Sequence, residues 1–235
     1  MIEVHEFDSA WRGREIGIVR DAKLFNKEPS EIEELCRPYE WVEFRTPTSS
    51  RVPIVSLVNA GFAKLDTQVS FRLDMNEFPP DPVPDLMTST FAELETMPDL
   101  SRARPFIHER FARLPHVDEE SLKQRYASWA VNLCETAPEW CVAVSRGGKV
   151  QGWYFSGLDP DGSLDLTLGA ASMDSEVSGA ELYRAAFARY FEDGARVGSA
   201  SFSAGNMAAM NIYSSLRARF TGATDFWLRV PAWGP

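Results

Sequence analysis

Cysteine and histidine are scarce in this chain. Among 235 residues there are three of each, and the cysteines Cys36, Cys134 and Cys141 show no CxxC spacing. A disulfide framework is therefore not expected, and buried free thiols in a reducing compartment are the better interpretation. His108 and His116 have no third type of metal ligand near them, so the sequence predicts no metal site.

Basic residues and long apolar runs are also few. Lysine and arginine total 24 against 34 acidic residues, which gives a formal net charge of −10. That balance argues against a nucleic-acid partner and against adhesion to an anionic membrane, because both favour a basic face. No apolar stretch approaches the roughly 20 residues that a bilayer requires, and no basic-then-apolar leader is seen, so we expect a cytoplasmic protein.

Proline is concentrated in residues 78–85, where four prolines deny the chain hydrogen-bond donors for a helix or a sheet. We interpret this segment as a stiff linker between an amino-terminal domain, residues 1–77, and a carboxyl-terminal domain, residues 86–235. With 44% apolar and 12% aromatic residues, the chain can bury one large core or two modest ones.

The sequence of the amino-terminal domain predicts short strands and helices. One helix is expected to begin with a Ser30/Glu33 capping box, and a second to end before Gly61. The expected strands are 16–20, 41–44 and 68–73, and the expected helices are 30–36 and 52–59.

A loose internal repeat links the two domains. The helix, turn and strand over 54–73 resemble those over 212–230. The first domain is either a truncated copy of the second or similar to it by chance. No tyrosine in the first copy matches Tyr213, so such a copy would be non-catalytic.

The carboxyl-terminal domain predicts a mixed sheet flanked by helices. Asp118 is expected to cap a helix with an acidic first turn, and Gly147-Gly148 to close a hairpin. The strands are expected at 86–94, 140–145, 150–156, 164–171, 197–203 and 225–230, and the helices at 99–112, 118–134, 180–191 and 206–216. Within the fourth strand, Leu164, Leu166 and Leu168 are expected to share one face.

The order strand, loop, helix, strand, helix, strand from residue 164 onward suggests an anion site. Ser178-Gly179-Ala180 open a helix, where backbone N–H groups and the helix dipole favour a diphosphate. Asn206 opens the next helix, and Tyr213 follows it by about two turns on nearly the same side. A tyrosine there could donate its proton to a leaving thiolate.

At these residues the chain resembles the GNAT superfamily of acyl-CoA-dependent N-acyltransferases, whose last helix carries an asparagine and then a tyrosine that acts as a general acid. Its closer resemblance is to the TDP-fucosamine acetyltransferases, which acetylate a 4-amino-4,6-dideoxy sugar nucleotide. The segments that carry this resemblance are 7–20, 179–182, 205–209 and Tyr213. It implies the GNAT acyltransferase fold, a mixed central sheet flanked by helices, preceded by a smaller α/β domain.

The resemblance also implies a site for acetyl-CoA or another acyl-CoA, with Tyr213 as the catalytic acid. Pantetheine is expected where two parallel strands splay apart, beside a bulge at 168–171 whose amides stabilise the oxyanion. The implied cofactor-binding residues are Leu168, Gly169, Ala170, Val177, Ser178, Gly179, Ala180 and Asn206.

The diphosphate loop departs from the family pattern, which is Gln/Arg-x-x-Gly-x-Gly/Ala. Aligned on Gly179, it has Asp174 at the basic or amide position and Val177 at the first glycine. Asp174 and Glu176 would repel a diphosphate, unless they point to water or act as caps. The alternative function is a degenerate GNAT-fold protein that binds a ligand or partner without turnover.

The acceptor is expected to be a small primary amine, with the amino group of a nucleotide-linked amino sugar as the leading candidate. Arg104 and Arg110, in an island with Arg102 and Arg113, are candidates for holding its diphosphate, and His108 for a base or hydroxyl donor. Solvated helix charges and a different small amine remain alternatives. The general base is left between Asp165, Glu139 and Glu109, and a homodimer is left open.

Overall fold

Strands and helices alternate along most of the chain, as expected for an α/β protein. The computed structural model describes residues 1–94, 96–114 and 117–230. They form two compact units: unit 1 comprises Met1–Val69 and the stretch from Gly222, and unit 2 comprises Ser70–Thr221. Among the described residues, no helix is both long and apolar enough to cross a membrane.

Unit 1 contains a sheet with the strand order β1-β2-β3-β10-β4. Strand β2 pairs in parallel with β3 over its whole length, and β3 pairs antiparallel with β10. Its elements are β1 (Ile2–Val4), α1 (Glu6–Arg12), β2 (Gly17–Val19), α2 (Pro29–Cys36), β3 (Val42–Pro47), α3 (Ile54–Asn59), the first part of β4 (Ala63–Asp74) and the last part of β10 (Arg219–Arg229).

The core of unit 1 is aromatic. Phe25 packs its ring 4.7 Å from that of Phe44 and 5.2 Å from that of Phe62, and Trp227 from β10 lies in the same cluster. Helix α2 starts at Pro29 without a side-chain cap, so the expected Ser30/Glu33 capping box is wrong. Proline suits the first helical position because its φ is preset and its missing N–H would have no intrahelical partner.

Unit 2 contains the strand order β4-β9-β8-β7-β6-β5, in which β5 to β8 pair antiparallel and β8 pairs in parallel with β9. The end of β4 is its first element. The others are β5 (Met87–Thr90), α4 (Phe91–Leu94), α5 (Glu119–Thr136), β6 (Cys141–Arg146), β7 (Lys149–Leu158), β8 (Leu164–Ala171), α6 (Gly179–Glu192), β9 (Val197–Ser203) and α7 (Met207–Ser215).

Most of the expected elements of unit 2 are confirmed. The bounds of β8 and β9 match the expected strands, and α6 and α7 match the expected helices within two residues. The Oδ1 atom of Asp118 accepts from the Ser121 N–H at 2.8 Å and caps α5. Gly147 and Gly148 both have positive φ, +55° and +79°, as a tight hairpin turn requires.

Two expectations are wrong. The strand expected over 86–94 stops at Thr90, because the carboxylate of Glu93 accepts from the Thr90 N–H at 2.8 Å and starts helix α4. The helix expected over 99–112 is replaced by two 3₁₀ turns, Leu100–Arg102 and Arg110–Arg113. Pro105 explains this break, because a proline disfavours the helical conformation in the residue before it.

Each unit holds one copy of the same element order. In unit 1 it is β2-α2-β3-α3-β4, and in unit 2 it is β8-α6-β9-α7-β10, each with a parallel first pair. The end of each copy crosses the unit boundary: β10 ends in unit 1, and β4 ends in unit 2. The proline-rich segment 78–85 lies inside unit 2, and the domain bounds 1–77 and 86–235 stay predictions.

Candidate functional site

Strands β8 and β9 separate soon after they begin. Their parallel pairing consists of Leu164 with Gly198 and Asp165 with Ser199. Strand β8 continues to Ala171 and β9 continues to Ser203, and no further pairing joins them among the described residues. We call the gap beside the later part of β8 the opening.

A bulge on β8 lies at the root of the opening. Asp165 pairs with Gly157 of β7, and Leu168 pairs with Phe155. Between these two pairs, β8 contains one residue more than β7. The bulge therefore lies at 166–167, not at the expected 168–171. It also reverses the side-chain alternation: Leu164 and Leu166 pack under α6, whereas Leu168 and Ala170 pack with the α5 side of the sheet. The expected common face for Leu164, Leu166 and Leu168 is wrong for Leu168.

Gly169 directs its backbone groups into the opening. The Ser172 N–H donates to the Gln151 carbonyl at 2.8 Å, across to the β7 side. Since successive backbone groups point to opposite sides, Gly169 and Ala171 face away from β7. The Ala171 carbonyl accepts from the Arg104 N–H at 2.8 Å, which covers the far end of the strand. Gly169 is thus the predicted cofactor-binding residue whose amide faces the opening.

Three tyrosines, which we call the tyrosine cluster, converge above Gly169. A Cβ atom on Gly169 would lie 2.6 Å from the Oη atom of Tyr183. The Tyr213 ring centroid is 5.5 Å from that of Tyr183, and the hydroxyls of Tyr213 and Tyr154 are 2.6 Å apart. Burial raises the pKa of Tyr154 and Tyr213 well above the ordinary value and that of Tyr183 to about 12. All three phenols are therefore neutral hydroxyls at physiological pH.

The start of α6 carries a capping box that sequence reasoning missed. The Ser178 N–H donates to a carboxylate oxygen of Glu181 at 2.7 Å, and the Glu181 N–H donates to Ser178 Oγ at 3.2 Å. The bond from the Ser178 N–H lowers the pKa of Glu181, so this carboxylate is ionised. Among the described residues, Gly179 and Ala180 keep N–H groups without a protein acceptor, while Val177 is buried. Two amides are thus left for an anion, beside the Glu181 carboxylate and Arg146, whose Nη2 atom lies 3.9 Å from Oε1 of Glu181.

The loop before α6 pairs its other acids. Asp174 accepts from the Arg102 guanidinium at 3.0 Å, and Glu176 accepts from Lys149 Nζ at 2.8 Å. Both carboxylates are exposed, and hydrogen bonding and charge from Lys149 lower the pKa of Glu176. The loop is therefore closer to neutral than its sequence suggests.

Asn206 is a helix cap. Its Oδ1 atom accepts from the Ala209 N–H at 3.0 Å at the start of α7. The two helices meet closely at Gly179, where a Cβ atom would lie 3.2 Å from Cδ1 of Ile212. Glycine at 179 allows this approach and brings α7 beside the start of α6.

A cavity of about 410 Å³ lies beside these helices, between α6, the end of α7 and residues 73–81. Its walls include buried Met75 and Phe187, and Phe78, whose ring lies 4.6 Å below the Arg217 guanidinium. Arg184 also lines the cavity. The acids Glu77 and Asp81 line it too, and Glu77 is paired with Arg219 at 2.7 Å. Arg184 follows Gly179 by five residues, a rise of about 7.5 Å, so its backbone lies close to the start of α6.

The predicted acceptor residues lie in different settings. Arg104 donates through Nε and Nη2 to the carbonyls of Ser172 and Ser175, at 3.2 Å each, and so holds the loop. The Arg110 guanidinium lies 4.4 Å over the Phe111 ring, and His108 is exposed in the preceding turn. His116 lies outside the described residues.

The candidate bases differ in availability. The buried carboxylate of Glu109 accepts from the Tyr126 hydroxyl and lies 3.8 Å from Nη1 of Arg125, so it is already neutralised. Asp165 occupies the last paired position before the opening, and desolvation raises the pKa of its carboxyl. Glu139 lies in the 3₁₀ turn before β6. Of the three, Asp165 is next to the opening. The described residues hold no cluster of three metal-ligating side chains.

Comparison with known proteins shows the fold. No protein-family model and no curated protein matches the chain. Among solved structures, a GCN5-related N-acetyltransferase from Kribbella flavida matches with a TM-score of 0.56 at 14% identity, over 92% of this chain and 81% of that one. One from Sphaerobacter thermophilus matches at 0.55 and 15% identity, over 80% and 59%.

A tandem GNAT protein from the clavulanic acid biosynthesis pathway matches with a TM-score of 0.53 at 10% identity, over 85% of this chain and 67% of that one. The chain thus spans about 59% of the Sphaerobacter protein and more of the other two. At these identities the similarity shows the fold alone: this chain has the GNAT acyltransferase fold, with a smaller GNAT-like copy before the larger one.

Proposed function

We propose that the protein is an acyl-CoA-dependent N-acyltransferase that transfers an acetyl or other acyl group to the primary amine of a small acceptor. The observation that carries this proposal is the opening beside β8, where the Gly169 amide lies beneath the tyrosine cluster. An amide donor and neutral phenols in one partly dry gap suit the two charges that develop when an amine attacks a thioester, on the carbonyl oxygen and on the departing sulfur.

In the proposed reaction, the neutral amine forms a bond to the thioester carbon and the carbonyl electron pair moves to oxygen. The Gly169 N–H stabilises that oxyanion, and collapse of the intermediate breaks the carbon–sulfur bond. A phenol of the tyrosine cluster protonates the sulfur, for which Tyr213 is the residue that the sequence predicts. Asp165, with its raised pKa, is the proposed acceptor of the amine proton.

The phosphates of CoA need more positive charge than Arg146 supplies beside Glu181 at the start of α6. We assign the diphosphate to the free N–H groups of Gly179 and Ala180, and the adenosine 3′-phosphate to the cavity beside them. Arg184 and Arg217 there can form charge-assisted bonds, and the Phe78 ring offers an apolar surface. Arg146, which lies 3.9 Å from the Glu181 carboxylate, partly offsets its charge, and Arg184 adds to that effect.

For the acceptor we propose the amino group of a nucleotide-linked amino sugar. The support is the resemblance over residues 7–20 together with the arginines at 102, 104, 110 and 113. Arg104 and Arg110 are the proposed contacts for the acceptor diphosphate, as the sequence predicts, and Arg104 also holds the loop through the carbonyls of Ser172 and Ser175. Another small amine would fit the same chemistry.

A second function, binding of a ligand without turnover, is favoured by one observation. Glu181 places an ionised carboxylate on the Ser178 N–H, at the point where the fold family binds a diphosphate. A protein that no longer needs the cofactor would tolerate such a carboxylate.

Thermal unfolding with CoA, acetyl-CoA and longer acyl-CoAs tests the proposal first. A ligand at 100 times its dissociation constant adds about 2.7 kcal/mol to the free energy of unfolding, so a clear rise in Tm is expected. Absence of any shift would overturn acyl-CoA binding. Release of CoA thiol in the presence of a TDP-linked amino sugar, the free amino sugar, ethanolamine and a polyamine then tests turnover. We expect at least a tenfold preference in kcat/KM for the TDP-linked sugar. Binding without thiol release from any amine would favour the second function.

A further inference from the structure

The hydroxyl of Tyr183 has no hydrogen-bond partner among the described residues, unlike those of its tyrosine neighbours. Tyr154 and Tyr213 bond to each other at 2.6 Å, and Tyr190 donates to the Trp140 carbonyl at 2.8 Å. The Tyr183 side chain is only half-buried and its oxygen is accessible to solvent, so water or a ligand can take up this hydrogen bond. Tyr183 is therefore the member of the tyrosine cluster whose donor is available to a ligand.

Tyr183 also has the side chain that lies nearest to the Cβ position of Gly169. It lies on α6 about one turn after the capping box, and its ring crosses the place that a side chain at 169 would fill, with Oη 2.6 Å and Cζ 2.7 Å from a Cβ built there. Gly169 lies beyond the last β8–β9 pair, so Oη stands at the edge of the opening. The side chain of Tyr183 is half-buried, whereas Tyr213 is 4% exposed.

Tyr213 could reach a ligand only by giving up an existing bond. Its ring is packed 3.9 Å from that of Phe71, and its hydroxyl is the partner of fully buried Tyr154. Turning Tyr213 toward the opening would leave Tyr154 without a partner, which carries the full desolvation penalty of a buried hydroxyl.

We propose that Tyr183 is the catalytic acid and that Tyr154 and Tyr213 are a positioning pair behind it. This inference rests on the proposed acyl transfer. When the carbon–sulfur bond breaks, sulfur takes the bonding electron pair and then the proton of Tyr183 Oη. The proton that the acceptor amine gives to Asp165 then passes through water to the Tyr183 phenolate, so the products are an amide and free CoA thiol and both residues are regenerated.

Ligand binding tests the contact without any turnover. Calorimetric titration with CoA and with desulfo-CoA, which lacks the sulfur, measures what the sulfur contact contributes. We expect the parent to bind CoA about fivefold more tightly than desulfo-CoA, as one net hydrogen bond gives. Tyr183→Phe should erase that ratio, and Tyr213→Phe should keep it. A ratio unchanged in Tyr183→Phe would overturn the contact.

Turnover tests the role of the proton. With acetyl-CoA and ethanolamine as the probe amine, Tyr183→Phe should lower kcat roughly 10²–10⁴-fold while the KM for acetyl-CoA changes little. Tyr213→Phe should lower kcat less than about tenfold. If Tyr213→Phe lowers kcat more than Tyr183→Phe does, Tyr213 is the acid. That result would overturn this inference and leave the proposed acyl transfer standing. If the parent binds no CoA or releases no thiol, the proposed function falls and this inference falls with it.

Discussion

Units 1 and 2 contain the same order of elements around a parallel pair of strands, but the pairs behave differently. In unit 1, every residue of β2 pairs with β3, from Gly17 opposite Val42 to Val19 opposite Phe44. In unit 2, β8 extends well past its last pair with β9. The shared topology therefore does not make a site by itself. The part of β8 beyond its pairing with β9 includes Gly169, whose amide faces the opening.

The helices that follow these strands also differ between the two units. Val55 of α3 matches Tyr213 in the repeat, and it is 68% exposed whereas Tyr213 is 4% exposed. Helix α2 begins at a proline, whereas α6 begins at a glycine that lets another helix approach. The two units share an order of elements, and the residues of the proposed site lie in unit 2.

Two matched glycines give the sharpest test of this comparison. A Cβ atom on Gly169 would lie 2.6 Å from Tyr183 Oη, and one on Gly17 would lie 2.8 Å from Cγ2 of Ile2. Both alanine variants should lose about 1–3 kcal/mol of stability through overpacking. Gly169→Ala should also lower kcat about 100-fold, because a displacement of about 1 Å at a reacting group has that effect. Equal turnover in the two variants, measured by thiol release, would place the site outside unit 2.

The cavity arginines should give the next largest effect. Arg184→Ala and Arg217→Ala should each weaken CoA binding about tenfold, because a charge-assisted bond to a phosphate is lost. Affinity for 3′-dephospho-CoA should change less than about twofold, and Arg37→Ala, at an exposed arginine directly after α2, serves as the control. Equal losses for both ligands in calorimetric titration would show that the cavity does not hold the 3′-phosphate.

The free energy of unfolding at alkaline pH tests the burial of Cys36 in unit 1. Burial raises the pKa of Cys36 to about 11 from an ordinary value of 9.0, so the folded state favours the neutral thiol. A raised pKa contributes stability that is complete below pH 9 and is lost as the pH rises toward 11. At pH 10 the loss from this thiol should be about 1 kcal/mol.

Urea denaturation of the parent and of Cys36→Ala at pH 8 and pH 10 measures that loss, since other groups titrate alike in both proteins. The parent should lose more stability than the variant between the two pH values. Parallel losses would mean that the thiol is ionised in the folded state. Turnover at pH 8 should be the same in both, because the thiol lies in unit 1.

The smallest effect is expected at the start of α6. Glu181→Gln keeps an acceptor for the Ser178 N–H but removes the charge, so CoA should bind about threefold more tightly. Asp174→Asn with Glu176→Gln should change affinity less than about twofold, because Arg102 and Lys149 already pair these exposed acids. The control is Glu31→Gln, in the first turn of α2. A larger effect from the double variant would mean that the loop acids face the diphosphate.

Local patterns predicted the strands and helices around the site because their information lies in adjacent residues. The same pattern of Ser or Thr followed three residues later by Glu occurs at Ser30, Thr90 and Ser178, and it forms a capping box at the last two. At Ser30 it does not, because Pro29 has already started the helix. The two boxes that form were visible in the sequence, and each would have improved the prediction.

The remaining features depend on contacts between distant residues. The pair of Arg102 and Asp174 joins positions 72 apart, and that of Tyr154 and Tyr213 joins positions 59 apart. The bulge at 166–167 depends on how β8 meets β7, and it leaves no mark in an alternating run of leucines. Side-chain periodicity does not report such changes of register. The sequence alone therefore did not indicate that Tyr183 lies over Gly169, beyond the bulge.

The exchanged ends of the two copies set the order in which the protein can fold. Unit 1 begins at the first residue, yet its sheet needs β10, whose Arg229 donates to the Ala60 carbonyl across 169 positions of sequence. Until that strand arrives, β3 has a free edge that can pair with other chains. Contacts at such separation form late and slowly. We therefore expect a refolding chain to expose the edge of β3, and to be prone to aggregation, until β10 is in place.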